Sequence, residues 1–241
     1  LFVVSNTNGT SALLLGNITD GYLTCAGGTT LVDRVVLSNP DNVLATNATG
    51  KVTLAGGVLT VLKSLVATNG AYSVLACASG TLNVANANVD GSGPLVFGDG
   101  KGSATLGLLA GTHRFADGLV LTNRATLAAG GIGAMASPSV VGDVTLMPGA
   151  ALHCDFAANA GETITLSGTL TLPEQAAVTP NSLDDTCPDS VVLVAADALA
   201  GPASLDNWTV APVGNTKYRI AVSGTSLVLI KKPQGTVAIV R

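Results

Sequence analysis

The chain has 241 residues, of which 11 are Lys or Arg and 15 are Asp or Glu, so its net charge is −4. Binding to nucleic-acid phosphates requires clustered basic side chains, and this mildly acidic sequence argues against a nucleic-acid partner. It contains no run of about 18 uninterrupted apolar residues, so it predicts no membrane-spanning helix.

The composition predicts a polar but weakly charged surface over an aliphatic core. Hydrophobic residues make up 47% of the chain, whereas aromatic residues make up 3% and charged residues 11%. Because a typical globular chain is about one quarter charged, Ser, Thr, Asn and Gly must form most of the surface. Small branched side chains suit a narrow, regularly stacked interior. The 29 glycines occur singly or in pairs, as is typical of turns rather than of a flexible linker.

Both ends of the sequence are apolar and strand-like. Leu1, Phe2, Val3 and Val4 lack the basic region and the length of a signal peptide, so we expect that any export signal has already been removed. Terminal residues are disordered by default, and apolar strands at the ends therefore predict pairing with a neighbouring subunit by strand addition. The candidate assembly residues are Leu1, Phe2, Val3, Val4, Val237, Ile239 and Val240.

The four cysteines are widely spaced in the sequence. They are Cys25, Cys77, Cys154 and Cys187. None forms a CxxC pair and the chain has only two histidines, so no zinc site is predicted. An even number of cysteines predicts two disulfides in an oxidising compartment, with Cys25–Cys77 and Cys154–Cys187 as the suggested pairs. Four buried free thiols are the alternative.

A five-residue phrase, Gly-x-apolar-Thr/Asn-apolar, organises the middle of the chain. Copies begin at residues 57, 80, 102, 123, 142 and 162, and the copies at 123 and 162 lack the glycine. The mean separation of these copies is 21 residues, and additional copies begin at residues 50 and 168. Each copy alternates with a period of two, which places both apolar side chains on one face of a strand.

Such strands cannot bury an apolar face alone, but copies stacked every ~21 residues would form a continuous interior. The sequence therefore predicts an all-β fold, a right-handed parallel β-helix (solenoid) of roughly 21-residue turns, with roughly 11 turns in all. Residues 1–188 would form the body, and residues 189–241 would form irregular final turns or a small C-terminal β cap. A β-sandwich or jelly roll is the alternative.

Several phrases also carry a family resemblance. These are Gly80-Thr-Leu-Asn-Val84, Leu121-Thr-Asn-Arg-Ala-Thr-Leu127, Gly130-Gly-Ile-Gly133 and Val141-Gly-Asp-Val-Thr-Leu146-Met-Pro-Gly-Ala-Ala-Leu152. Their order resembles the autotransporter-associated β-strand repeat proteins, in which GTLxV, xATLxGxGxI and VxGxVTLxPGAxLxPG follow one another. The resemblance covers about residues 50–172. It implies an extracellular bacterial β-helix of the kind found in adhesins and other surface proteins.

The sequence offers few groups for chemistry. Enzymes that act on polysaccharides need clustered carboxylates, and the candidates are Asp184, Asp185 and Asp189, with Asp90 or Asp99 near Lys101. All of them fall in turn-like segments and are interpreted as solvated turn carboxylates. The polar strand positions predict outward ladders on one flat, solvated face: Thr53, Thr60, Asn83, Thr105, Thr126, Thr145, Thr165 and Thr171.

These observations predict a non-catalytic protein with no catalytic, cofactor-binding or metal-binding residues, because none of the usual motifs occurs. We expect an extracellular structural protein of the bacterial cell surface, either an adhesin-like passenger or a surface-layer or filament subunit. Its expected partner is itself, through the terminal strands. The alternative is a β-helix protein that binds or degrades polysaccharide.

Overall fold

The computed structural model describes residues 1–39, 47–157 and 160–233. About 59% of the chain is β-strand, nearly all of it in parallel pairs. The described residues contain no α-helix, only one turn of 3-10 helix at Gly70–Tyr72. Within those residues, no helix has the length and apolarity needed to cross a membrane.

The strands follow one another along the whole described chain, many of them only three to six residues long. In chain order they are β1 (Phe2–Val4), β2 (Ala12–Leu15), β3 (Gly21–Leu37), β4 (Gly50–Ala67), β5 (Ser73–Val84), β6 (Ala87–Val89), β7 (Leu95–Phe97), β8 (Ala104–Leu108), β9 (Thr112–Phe115), β10 (Leu119–Leu121), β11 (Ala125–Ala129), β12 (Ser139–Val141), β13 (Val144–Leu146), β14 (Ala151–Ala157), β15 (Ala160–Gly161), β16 (Ile164–Thr171), β17 (Ala177–Ser182), β18 (Ser190–Ala200), β19 (Thr209–Val210), β20 (Tyr218–Ser223) and β21 (Ser226–Lys231).

Each turn of the chain contributes one strand segment to each of three faces, and each face is a parallel stack. The first face contains residues 21–25, 50–54, 73–77, 95–97, 119–121, 144–146, 169–171 and 198–200. The second face contains residues 2–4, 29–32, 58–61, 81–84, 104–108, 125–129, 151–156, 177–182 and 209–210. The third face contains residues 12–15, 34–37, 64–67, 87–89, 112–115, 139–141, 164–167 and 194–196.

This architecture confirms the predicted parallel β-solenoid and excludes the β-sandwich. The solenoid has about seven turns rather than roughly eleven. On the second face, residues stacked on one another are 29, 23, 24, 21, 25 and 26 positions apart, from Thr30 through Leu59, Leu82, Leu106 and Leu127 to Leu152 and Val178.

The repeat phrase gave too short a turn because its copies lie on different faces. The copies that begin at residues 57, 80, 102 and 123 belong to the second face. The copy at 142 stacks instead on residues 119–121 of the first face, and the copy at 162 belongs to the third face. A mean spacing taken across faces measures less than one full turn.

The interior is a set of aliphatic ladders. On the second face Leu59, Leu82, Leu106 and Leu127 stack on one another and are almost fully buried. Each such leucine contributes about 1.5–3 kcal/mol relative to an exposed position. Three phenylalanines, Phe97, Phe115 and Phe156, are the largest fully buried side chains.

The C-terminal end of the solenoid is covered by antiparallel strands. β18 still pairs in parallel with β16, so the stacking continues past residue 188. β21 then runs antiparallel to β18 and forms a hairpin with β20. The buried Trp208 indole donates to the Pro173 carbonyl (3.0 Å), and the buried Tyr218 hydroxyl donates to the Pro188 carbonyl (3.1 Å). The Tyr218 contact holds the hairpin on the last turn, and the Trp208 contact holds the segment that leads into β19.

Candidate functional site

Within residues 1–39, 47–157 and 160–233, one edge of every face is unpaired at the first turn. Among the described residues, β1 pairs only with residues 30–32, β2 only with residues 34–37, and residues 21–25 only with residues 50–54. Within the described part of the chain, nothing pairs with the opposite edges of these three segments. An unpaired strand edge presents a row of N–H and C=O groups that can bind another strand.

The open edge is also apolar. Most of its large apolar side chains are about half exposed or more: Leu1, Phe2, Val3, Leu14, Ile18 and Tyr22. Val4, Leu13 and Leu23 pack against the core but are only partly buried. Val32, Val35 and Val52 stack on these three residues one turn later and are fully buried, because a turn lies on each side of them.

Few charges protect this edge. Asp20 is the only charged side chain in residues 1–32. Asp33 is buried, and it accepts hydrogen bonds from the Ser5 hydroxyl (2.6 Å) and the Asn6 N–H (2.9 Å). These bonds lower the pKa of Asp33 and hold the corner that follows β1. Edge strands that avoid pairing usually carry lysine or proline, and β1 and β2 carry neither.

The structure places the predicted N-terminal assembly residues in this edge. Leu1 precedes β1, and Phe2, Val3 and Val4 form it. The predicted C-terminal assembly residues Val237, Ile239 and Val240 lie outside the described residues.

The disulfide prediction is wrong in this structure, where all four cysteines are free. Cys25 and Cys77 both lie on the first face, and each is paired with Leu54 from opposite sides. They are therefore two turns apart, about 9–10 Å, and a disulfide needs a Cα separation below about 7 Å. Burial raises the pKa of Cys77 to about 12 and also raises the pKa of Cys154. Both thiols are thus buried and protonated.

The predicted polar ladder is divided among the three faces. Thr60 stacks with Asn83, and Thr105 stacks with Thr126, on the second face. On the first face, Thr145 stacks with Thr171, and Thr53 stacks with Thr24. Thr165 belongs to the third face. No single flat face collects these eight side chains, because the repeat phrase does not stay on one face.

The predicted turn carboxylates make local contacts or are exposed to solvent. Asp184 accepts from the Thr186 hydroxyl (2.6 Å) and Asp99 from the Lys101 N–H (2.8 Å), both in exposed turns. Asp90 pairs with Arg114 at 3.4 Å. Asp189 is almost fully exposed. Across residues 1–39, 47–157 and 160–233, no group of three or more His, Cys, Asp or Glu side chains is arranged to hold a metal ion.

The sequence did not predict a buried polar cluster on β14. His153 and Asp155 point away from the solenoid interior, yet both are buried. Residues 130–138 connect β11 to β12, and the Gly133 N–H of this loop donates to Asp155 Oδ2 (2.7 Å). Asn181, one turn later, donates to Asp155 Oδ1. The loop therefore covers these side chains and is attached by one of them.

Glu162 completes this cluster. Its Oε1 accepts from the Asp155 N–H (2.9 Å), and its Oε2 has no hydrogen-bond partner among the described residues. The residue is 2% exposed. Desolvation, with a smaller contribution from the charge of Asp155, raises the pKa of Glu162 to about 8. His153 Nε2 lies 3.3 Å from Asp155 Oδ2. The sequence feature that marks this cluster is the alternation of two polar residues with apolar ones in Leu152-His-Cys-Asp-Phe156.

Comparison with known proteins does not assign the chain to a family. No protein-family model matches the chain, and neither the curated proteins nor the solved structures contain a significant match.

Proposed function

We propose that this chain is a non-catalytic structural protein of the bacterial cell surface that associates with further copies of itself through the open edge of its first turn. The observation that carries the proposal is the combination of unpaired strands and half-exposed apolar side chains in β1, β2 and residues 21–25. The resemblance to autotransporter-associated repeat proteins supports the location at the cell surface.

Strand addition is the interaction that this edge favours. A second copy would satisfy the open backbone groups of three strand segments at once, and it would cover the exposed side chains of Phe2, Val3 and Leu14. Main-chain hydrogen bonds supply affinity in such contacts, and the buried apolar side chains add to it.

A pair of lysine substitutions tests the proposal. Val3 on the open edge and Val222 on the C-terminal hairpin are equally exposed, at 49% and 50%. Val3→Lys introduces a charge that edge strands use to prevent pairing, whereas Val222→Lys adds the same charge at the other end. Sedimentation velocity from about 1 to 500 μM measures association, and circular dichroism checks the fold.

The proposal predicts that the wild-type chain associates with increasing concentration, that Val3→Lys remains monomeric and folded, and that Val222→Lys associates like the wild type. A wild-type chain that is monomeric throughout, or an equal loss of association in both variants, contradicts it.

A further inference from the structure

The loop of residues 130–138, called the cover loop below, lies across the outer surface of the second face. Gly107, Ala128 and His153 stack in one outward column of this face. A β-carbon on Gly107 would lie 3.0 Å from the Gly131 Cα, so the loop contacts the column there. Ala128 and His153 point away from the interior, yet they are 0% and 8% exposed. The cover loop therefore shields a surface that solvent would otherwise reach.

A single hydrogen bond holds the middle of the cover loop. At its two ends the loop is bonded to neighbouring turns through the Gly130 N–H and the Pro138 carbonyl. Between these ends, and counting only partners within the described residues, the one hydrogen bond runs from the Gly133 N–H to Asp155 Oδ2 (2.7 Å). Segments with so few backbone bonds open at a lower free energy than strands that are bonded on both sides.

Glu162 lies beside this attachment, in a place that disfavours its ionised form. Desolvation raises the pKa of Glu162 to about 8, and the backbones of Asp155 and Ala136 offset only part of this effect. Ala136 belongs to the cover loop, so the loop lies next to the carboxyl. Glu162 Oε2 has no partner among the described residues. An ionised Glu162 under the closed loop would therefore be a buried carboxylate with one unsolvated oxygen, which is strongly unfavourable.

The groups around Glu162 give little compensation for a negative charge. Its titratable neighbours in the described chain are Asp155, His153 and Cys154. Burial raises the pKa of Cys154, so this thiol stays neutral up to pH 8. His153, which is positive only when protonated, lies against Asp155 instead, with its Nε2 3.3 Å from Asp155 Oδ2. The cover loop has no titratable side chain, and β18 contributes aliphatic side chains.

We infer that the cover loop is a pH-sensitive cover, which is closed over the second face while Glu162 is protonated and opens when Glu162 is ionised, with the solenoid beneath it still folded. Opening admits water to the carboxylate, and it breaks the bond at Gly133 but no strand ladder. It also uncovers Ala128 and His153, so that the outward column of the second face becomes accessible in this part of the solenoid. The device is independent of self-association through the first turn.

Hydrogen exchange detected by NMR at pH 5, 6, 7 and 8 tests the inference. The Gly133 amide reports on the cover loop, and the amide of Leu127, in β11 between β8 and β14, reports on the solenoid. In the open loop the carboxyl regains its ordinary pKa of 4.5, so raising the pH favours opening. After correction for intrinsic exchange, we expect the protection of Gly133 to fall at least about thirtyfold from pH 5 to pH 8 while Leu127 stays protected.

Two matched substitutions assign the effect to Glu162. Glu162→Gln keeps the shape and the acceptor oxygen but cannot ionise, so the protection of Gly133 should stay within about threefold over the same range. Glu174→Gln removes an exposed carboxyl and should behave like the wild type.

Three results would overturn the inference. The first is a protection factor for Gly133 that is constant from pH 5 to pH 8 in the wild type, and the second is an equal fall in Glu162→Gln. The third is a parallel loss of protection at Leu127, which would show that ionisation unfolds the solenoid instead of opening the cover loop. None of these results bears on self-association, so the proposed function stands or fails separately.

Discussion

Glu162 should make this protein less stable as the pH rises from about 5 to 8. The carboxyl is buried beside Asp155, and its pKa is raised from 4.5 to about 8 in the folded state. Between those values the folded protein binds more protons than the unfolded chain, so raising the pH favours unfolding. Below 4.5 both states hold the proton and above 8 both release it, so the effect is confined to this window.

One proton bound by the folded state alone lowers the unfolding free energy by about 1.4 kcal/mol for each unit of pH increase. Over the full pKa shift of Glu162, the total loss of unfolding free energy is therefore at most about 5 kcal/mol. The buried His113 acts in the opposite direction, because desolvation lowers its pKa and charging it below pH 6.5 destabilises the fold. Comparison of the wild type with Glu162→Gln removes this second contribution, since both proteins contain His113.

Urea unfolding at pH 5, 6, 7 and 8 measures the effect. The wild type should lose stability relative to Glu162→Gln by at least about 2 kcal/mol between pH 5 and pH 8. Glu174→Gln is the control, because Glu174 is the other glutamate in the chain and is exposed. The difference in stability between the wild type and Glu174→Gln should stay constant from pH 5 to pH 8. A constant stability difference between wild type and Glu162→Gln across this range would refute the buried, protonated state of Glu162.

Three further predictions concern the corners, the core and the thiols. Gly57→Ala should lower the unfolding free energy by about 2–4 kcal/mol in urea titrations, because φ is +69° and a β-carbon would overlap the preceding turn; a loss below 0.5 kcal/mol would contradict the corner geometry. Leu106→Ala should cost about 2–5 kcal/mol in the same assay, and a neutral result would show that the ladder is not packed. A thiol reagent should titrate four free cysteines after unfolding without reductant, but Cys25 and Cys77 should not react in the folded state. Two titrated thiols would indicate a disulfide.

The repeat phrase predicted the solenoid because alternation and stacking are local properties of the sequence. Phrases such as Gly80-Thr-Leu-Asn-Val84 show which side chains point inward, and Leu82 is indeed buried in a ladder. The number of residues per turn depends on which face a strand joins, and a phrase that suits all three faces does not encode this. The copies at 123 and 142 look like successive turns in sequence but lie on the second and first faces of the solenoid.

The candidate sites were predicted to different extents for a similar reason. The apolar residues Phe2 and Val3 mark an edge strand by composition alone, and exposure follows when no strand covers them. The burial of Asp155 and Glu162 depends on a loop that lies on another turn, so the sequence around β14 does not indicate it. The separation of Cys25 from Cys77 depends on the turn in between, which cysteine spacing does not reveal.

Small-angle X-ray scattering over a concentration series tests the end-to-end association most directly. One copy of about seven turns, stacked at about 4.8 Å per turn, has a body on the order of 35 Å long. We predict that the maximum dimension rises toward twice the monomer value with concentration while the cross-sectional radius of gyration stays constant, and that Val3→Lys keeps the monomer length. A constant maximum dimension, or growth in cross-section instead of length, would contradict association through the first turn.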